Sequence, residues 1–366
     1  MTYNVWNKWD KLETVMLGSC HPLEFYDGIK EDKIRDPLLR ITEETLQELD
    51  YFKSVLQDFG CEVIQAPTVY DRVDSWGNKN QGNNSIIPRG SLQPRDFQAV
   101  IGNKCLVSYI DNLGIVETLK DYNSDDLILD PLAFKTLLKE DNPYIDLIKD
   151  LHSKGVIADE EFYKKLTNLK RWSTTSFTLI GNRLYFDTKD FGDTKWFKSK
   201  FPDFEYVEVS IGEHNDACFA PIKPGAILSL HDIQTYEETF PGWDVCYLPE
   251  ASWRGVPGWQ DYKTKTQGKW WLPGEERNDA FINFVNKWLG EWVGYVEETV
   301  FDVNVLVLDE HHVCVSNDKN EIVNAFLKKH KMEPVHIPWR HRFFWDGGLH
   351  CITLDLKRQG TKENYF

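Results

Sequence analysis

Short apolar runs come in pairs along this chain. Residues 97–109 read apolar, turn, apolar around Gly102-Asn103-Lys104, and residues 177–187 repeat the arrangement around Gly181-Asn182-Arg183, so Ile-Gly-Asn-basic occurs twice. Residues 217–230 turn at Lys223-Pro224-Gly225, and residues 303–317 turn at Asp309-Glu310-His311. Two runs of this length joined by such a turn predict a β-hairpin each time. Between the hairpins the period changes to that of a helix. Residues 42–59 carry Leu46, Leu49, Phe52, Val55 and Leu56 at helical spacing, and residues 132–151 and 320–331 are read the same way. Short strands at 61–64 and 334–337 follow two of these helices, giving a strand, strand, helix, strand unit. With residues 12–18 opening one unit and 351–356 closing it, about five units are counted. The expected fold class is therefore α/β, with ββαβ modules closed into a pseudosymmetric ring around a central channel, which buries every sheet face. A ring makes one domain, 1–366, a better reading than two.

This register says which distant residues can meet. Asp96, Ser176, Asp216 and Asp302 each stand just ahead of a hairpin, and Cys351 starts the last strand, so all five are expected to face the axis. Two segments interrupt the pattern. Residues 110–170 are long and charged, residues 252–276 carry Trp253, Trp259, Trp270 and Trp271 among Gly and Pro, and both are read as lid insertions.

Composition narrows the function. Hydrophobic residues at 41% and aromatics at 14% suffice for a large core, which excludes a disordered chain. A formal charge of -16 repels nucleic acid and anionic membranes, so neither is expected as a partner, and a small cation is the better ligand. No basic segment followed by an apolar run opens the chain, and no stretch has the length of a membrane span, so a cytoplasmic location is expected. The seven cysteines are scattered and odd in number, with no C-x-x-C pair, which suits neither a disulfide framework nor a zinc site.

One cysteine has unusual surroundings. Gly347-Gly348-Leu349-His350-Cys351 places a thiol shortly after two residues without Cβ, where a planar ligand could approach the backbone closely. Cys351 is the candidate nucleophile, His214 the candidate acid and base, and Asp96 the group expected to orient His214. Such a set suffices for covalent catalysis on an sp² carbon bearing nitrogen. Asp216, two residues after His214 on what is read as an extended strand, would share its face and accept hydrogen bonds from a guanidinium. His350 would alternate to the opposite face and is read as structural. Each residue alone is ordinary; their joint placement on the repeat is what singles them out.

The motifs Gly347-Gly348-Leu349-His350-Cys351, Pro94-Arg95-Asp96, His214-Asn215-Asp216, Trp9-Asp10-Lys11-Leu12-Glu13-Thr14-Val15-Met16-Leu17-Gly18 and Asn304-Val305-Leu306-Val307-Leu308-Asp309-Glu310 together resemble the amidinotransferases, notably the glycine amidinotransferase type, within the guanidino-group modifying superfamily. The resemblance spans essentially the whole chain. It implies a five-bladed α/β propeller, transfer of the amidino group of L-arginine to an amine acceptor through an amidino-cysteine on Cys351, release of ornithine, and no metal or organic cofactor. A homodimer is compatible with it. Four departures concern the substrate ends. An arginine expected to pair with a carboxylate falls on Ile233, a serine falls on Asp302, a methionine falls on Glu213, and an acidic Phe-Asp-Ala-Ala-Asp segment falls on Trp172-Ser173-Thr174-Thr175-Ser176. Asp302, Glu213, Ser176 and Ser173 are accordingly candidates for substrate contact, in a pocket more anionic than the family pattern and suited to an amine-rich acceptor. The alternatives are an arginine or agmatine deiminase, in which water resolves the same intermediate, and a non-catalytic binder of small molecules.

Overall fold

The computed structural model describes residues 1–68, 90–108, 112–130, 174–187, 194–209, 214–231, 236–251, 272–289 and 298–366. Their strands form five sheets of three strands each. In chain order the strands are β1 (Leu12–Leu17), β2 (Glu62–Gln65), β3 (Gln98–Ile101), β4 (Lys104–Val107), β5 (Leu127–Leu129), β6 (Phe177–Ile180), β7 (Arg183–Phe186) and β8 (Glu205–Glu208). They continue with β9 (Phe219–Lys223), β10 (Ala226–His231), β11 (Asp244–Ala251), β12 (Leu306–Val307), β13 (His312–Val315), β14 (Glu333–His336) and β15 (Thr353–Arg358). Every sheet has one plan: an antiparallel pair, then a helix, then a third strand parallel to the second. The fold is the expected five-bladed α/β propeller. Its first blade joins the two ends of the chain, because β15 pairs with β1 and so closes the ring.

The local reasons are visible in the turns. Gly102 and Gly181 both have φ of 60°, as the first residue of a tight two-residue hairpin loop requires, with Ile101 opposite Lys104 and Ile180 opposite Arg183. The repeated Ile-Gly-Asn-basic motif is thus the tip of two equivalent blades. Arg358 is nearly fully buried, and its guanidinium donates to the carbonyls of Asp10 and Val307 and to the carboxylate of Asp355, tying the first blade to the fifth.

Two expectations change. The helix expected at 42–59 begins ten residues earlier and runs Asp32–Asp58, with Pro37 inside it. A proline removes the N–H that would bond the carbonyl four residues back. Here Asn278 Nδ2 supplies the donor, 2.7 Å from Lys33 O, so the helix passes the proline with that acceptor satisfied. The segment 110–170, read as an insertion, starts with the helix Leu113–Tyr122 and β5, which are the crossover and third strand of the second blade. The helix expected at 132–151, the rest of that segment and most of 252–276 lie outside the described residues.

Candidate functional site

Cys351 lies in a turn between the helix Arg342–Trp345 and β15, and it is almost wholly buried. The double glycine explains the turn, in a different way from the one expected. A Cβ on Gly347 would sit 2.2 Å from Gln93 Nε2, and one on Gly348 would sit 2.6 Å from Asn304 Oδ1. Two protein side chains, rather than a planar ligand, occupy the space the glycines leave. Gln93 Nε2 donates to Trp345 O at 2.5 Å. Asn304 does more. Its Oδ1 accepts from the backbone N–H of His350 at 2.9 Å and of Cys351 at 3.1 Å, while its Nδ2 donates to Cys351 Sγ at 3.1 Å and to Asp216 O at 3.2 Å. That exhausts the hydrogen-bonding capacity of one amide on the thiol and its immediate support.

Asp216 is the second group at the thiol. The His214-Asn215-Asp216 run was read as a strand, but it caps and opens the short helix Asn215–Cys218, so alternation does not set its directions. Asp216 Oδ2 lies 3.8 Å from Cys351 Sγ and 2.9 Å from His350 Nδ1. Asp216 Oδ1 is buried and has no hydrogen-bond partner among the described residues, and the same holds for both side-chain polar atoms of Asn215. Buried polar atoms are normally satisfied, so the orphaned Oδ1 of a carboxylate whose Oδ2 approaches the thiol has the capacity to accept from a ligand donor. Burial alone would raise the Asp216 carboxyl, but the His350 hydrogen bond and the charges of Arg95 and Lys8 outweigh it and hold the group well below the usual carboxylate range. His350 therefore shares a face with Asp216 instead of pointing away. The strand rule fails for it because β15 begins only at Thr353.

Burial, followed by the charges of Asp216 and Asp96, pushes the Cys351 thiol well above its ordinary value. Asp96 is thus within electrostatic reach of the sulfur, in the turn Gln93–Phe97 ahead of β3. Its neighbour Arg95 links three parts of the ring. The Arg95 N–H approaches Cys351 O at 3.4 Å, its guanidinium donates to Thr174 O at 2.8 Å, and its own carbonyl accepts from Thr174 Oγ1 at 2.8 Å. This pins the turn Thr174–Ser176, and Ser176 within it, beside the Asp96 segment. Ser176 is completely buried at the start of β6. His214 is half-buried at the N-cap of the helix Asn215–Cys218, two residues from Asp216.

The five positions expected to face the axis are all buried. The fifth blade delivers a different residue than expected: Asn304 meets the thiol, while Asp302, two residues earlier, accepts from Asn317 Nδ2 at 3.3 Å and Asn320 Nδ2 at 2.5 Å. Asn320 is also the N-cap of the helix Glu321–Lys329, so Asp302 anchors that helix start. Glu213, Ser173 and Ile233 lie outside the described residues.

Behind the Asp216–His350 pair is a small cavity of about 30 Å³ lined by Asn7, Lys8, Arg95, His350 and Asp355 among apolar neighbours. It is large enough for water. Burial, then the nearby Arg95 charge, brings the Lys8 ammonium down to about 8, and burial followed by the Lys8 charge brings His350 down to about 4. Lys8 was not singled out in the sequence, and Arg95 entered there only within the Pro94-Arg95-Asp96 motif. Among the described residues no group of three potential metal ligands is gathered, and the expectation of a metal-free reaction rests on the family resemblance.

Comparison with known proteins places this geometry. No family model matches the chain. An L-arginine:L-lysine amidinotransferase of Pseudomonas savastanoi pv. phaseolicola is 22% identical over 98% of this chain and 95% of its own length. The mitochondrial glycine amidinotransferase of Xenopus tropicalis is 23% identical over 99% of this chain and 84% of its own. The structure of SxtG, an amidinotransferase from Microseira wollei, superposes with a TM-score of 0.64 at 19% identity, covering 100% of this chain and 99% of the other. The chain therefore shares the fold of a class of proteins that includes this amidinotransferase. Within that class the chain resembles the amidinotransferases along essentially its full length, and these matches indicate a transferase enzyme.

Proposed function

We propose that the chain moves the amidino group of L-arginine to an amine acceptor through a covalent amidino-cysteine on Cys351. The observation that carries this reading is the thiol's setting: Sγ held at 3.1 Å by Asn304 Nδ2, beside an Asp216 carboxylate whose Oδ1 is buried and unpartnered. A planar cation fits such a place. With no cation present, burial and two carboxylates keep the thiol protonated. A guanidinium placed against Asp216 and Asp96 offsets their charge and eases loss of the thiol proton, so the donor helps to activate its own attacker.

In the first half-reaction His214 takes the Cys351 proton, the sulfur bonds to the guanidinium carbon, and the bond from that carbon to the ornithine nitrogen breaks. The same proton goes to that nitrogen, leaving a cationic amidino-cysteine and ornithine. In the second, an acceptor amine gives a proton to His214 and attacks the amidino carbon, and the thiol is restored as the new guanidino compound leaves. His214 acts in this scheme from its N-cap position two residues ahead of Asp216. Asp96 orients His214 in this scheme, and catalytic hydrogen bonds of this kind often tighten in the complex.

The acceptor is the open part of the reading. Asp302, one of three residues that suggested an amine-rich acceptor, is engaged by Asn317 and Asn320. Lysine and glycine, which the relatives' names specify, are the first acceptors to offer. The test is to supply arginine with a panel of amines and identify the guanidino product by mass spectrometry. Ornithine together with one guanidinylated amine supports the proposal; citrulline and ammonia without any acceptor product would replace it with a hydrolase.

A further inference from the structure

Four observations meet at His350. Its Nδ1 lies 2.9 Å from Asp216 Oδ2. Asp216 is held ionised, so Nδ1 carries the hydrogen and donates. Its Nε2 has no hydrogen-bond partner among the described residues, and the ring lines the cavity shared with Lys8, Arg95 and Asp355. Asp216 Oδ1, the oxygen His350 does not touch, is the orphaned acceptor of a carboxylate whose Oδ2 lies 3.8 Å from the thiol.

We propose that His350 is a positioning residue: clamped between Asp216 and the Lys8-lined cavity, it holds Oδ2 and so fixes the carboxylate with Oδ1 free to meet the cationic group of the donor. This rests on the reading of Asp216 as the guanidinium anchor. The groups facing His350 are Asp216 from the helix Asn215–Cys218, Lys8 from the N-terminal segment, Arg95 from the turn ahead of β3 and Asp355 from β15. Two of these are cations on the cavity side, and they oppose a second proton on the ring. A neutral ring leaves the full negative charge of Asp216 for the substrate, whereas an imidazolium would neutralise it. His350 thus sets both the direction and the charge of the anchor. Lys8 acts through His350 and does not touch the donor.

The test uses the full-length chain with His350→Leu, His350→Asn and Lys8→Met, each first checked for folding by its thermal melt. Two readouts are taken from about pH 3.5 to about pH 9: steady-state transfer from arginine, and protection of Cys351 from iodoacetamide by arginine, which needs no turnover. Outer partners of a liganding group are worth about 10- to 100-fold. His350→Leu should raise the arginine KM and the half-protecting arginine concentration by that factor, with kcat falling less than about threefold. His350→Asn, which keeps an N–H donor on the Asp216 side, should recover most of the loss. Lys8→Met should leave KM unchanged near pH 9 but move the acid limb of kcat/KM to higher pH by about one unit, as the ring becomes easier to protonate. A folded His350→Leu with wild-type KM and wild-type protection overturns the proposal, as does a Lys8→Met profile that superimposes on the wild type. If His350→Leu does not fold, His350→Asn and Lys8→Met decide. A wild type that arginine protects but that transfers nothing would remove the transferase reading and leave the anchor geometry standing.

Discussion

The two sides of the Asp216–His350 pair differ in charge. On the thiol side Cys351 faces two carboxylates, and its proton is held tightly. On the cavity side Lys8 and Arg95 face the same imidazole, and a proton on His350 is disfavoured. One residue pair therefore separates an anionic chamber, which calls for a cation, from a cationic one that keeps the anchor charged. The lesson is that the substrate's charge is balanced in two layers, and the outer layer need not touch it.

The strongest way to break this contrast is to remove the thiol. Cys351→Ser should lower transfer by at least about 10³-fold while leaving the melt within a few degrees of wild type, because the turn is built by Gln93 and Asn304 rather than by the sulfur. Asp216→Asn should cut arginine turnover by about 10²-fold, the scale for losing one preorganised electrostatic contact. The same change should speed iodoacetamide alkylation of Cys351 at mildly alkaline pH, since one of the charges that raises the thiol is gone. Activity and thiol reactivity moving in opposite directions is the signature; a parallel fall of both would mean that Asp216 is merely structural.

Asn304→Ala should cost about 2 kcal/mol or more of stability. It leaves the buried N–H groups of His350 and Cys351 without their acceptor, each worth about 1–3 kcal/mol, and a chemical-denaturation midpoint reads the loss. The smallest effect is on pH. The folded-state value of His350, about 4, lies below the ordinary histidine value, so the unfolded chain binds that proton first as pH falls. Stability should be full above about 6.5 and decline toward about 4, with Asp216 adding a loss only at lower pH, because its folded carboxyl is held below its ordinary value. The melting temperature of His350→Asn should fall less over that window than that of the wild type.

How much of this was legible in the sequence varied with the element. The blades were, because Gly-Asn tips and paired short apolar runs fix hairpins through local physics alone. The start of the helix Asp32–Asp58 was not, since a distant Asn278 meets the carbonyl that Pro37 leaves open. That Cys351, Asp216 and Asp96 come near one another followed from their position ahead of equivalent strands. The same rule selected Asp302, when the turn after the helix Glu298–Val303 in fact presents Asn304. A signal was present: Gly348 leaves room for one side chain, and Asn304 is the polar residue just ahead of an apolar run. His350 was misread because strand alternation was applied to residues that form a turn. Lys8 gave no signal, because its role depends on a cavity that only the closed ring creates.

The most direct measurement is the mass of the Cys351 peptide after the protein is mixed with arginine in the absence of any acceptor and quenched in acid. The account predicts a thiol carrying one amidino group, with an equal amount of ornithine released in a single burst. An unmodified Cys351 in a preparation that is consuming arginine would contradict it.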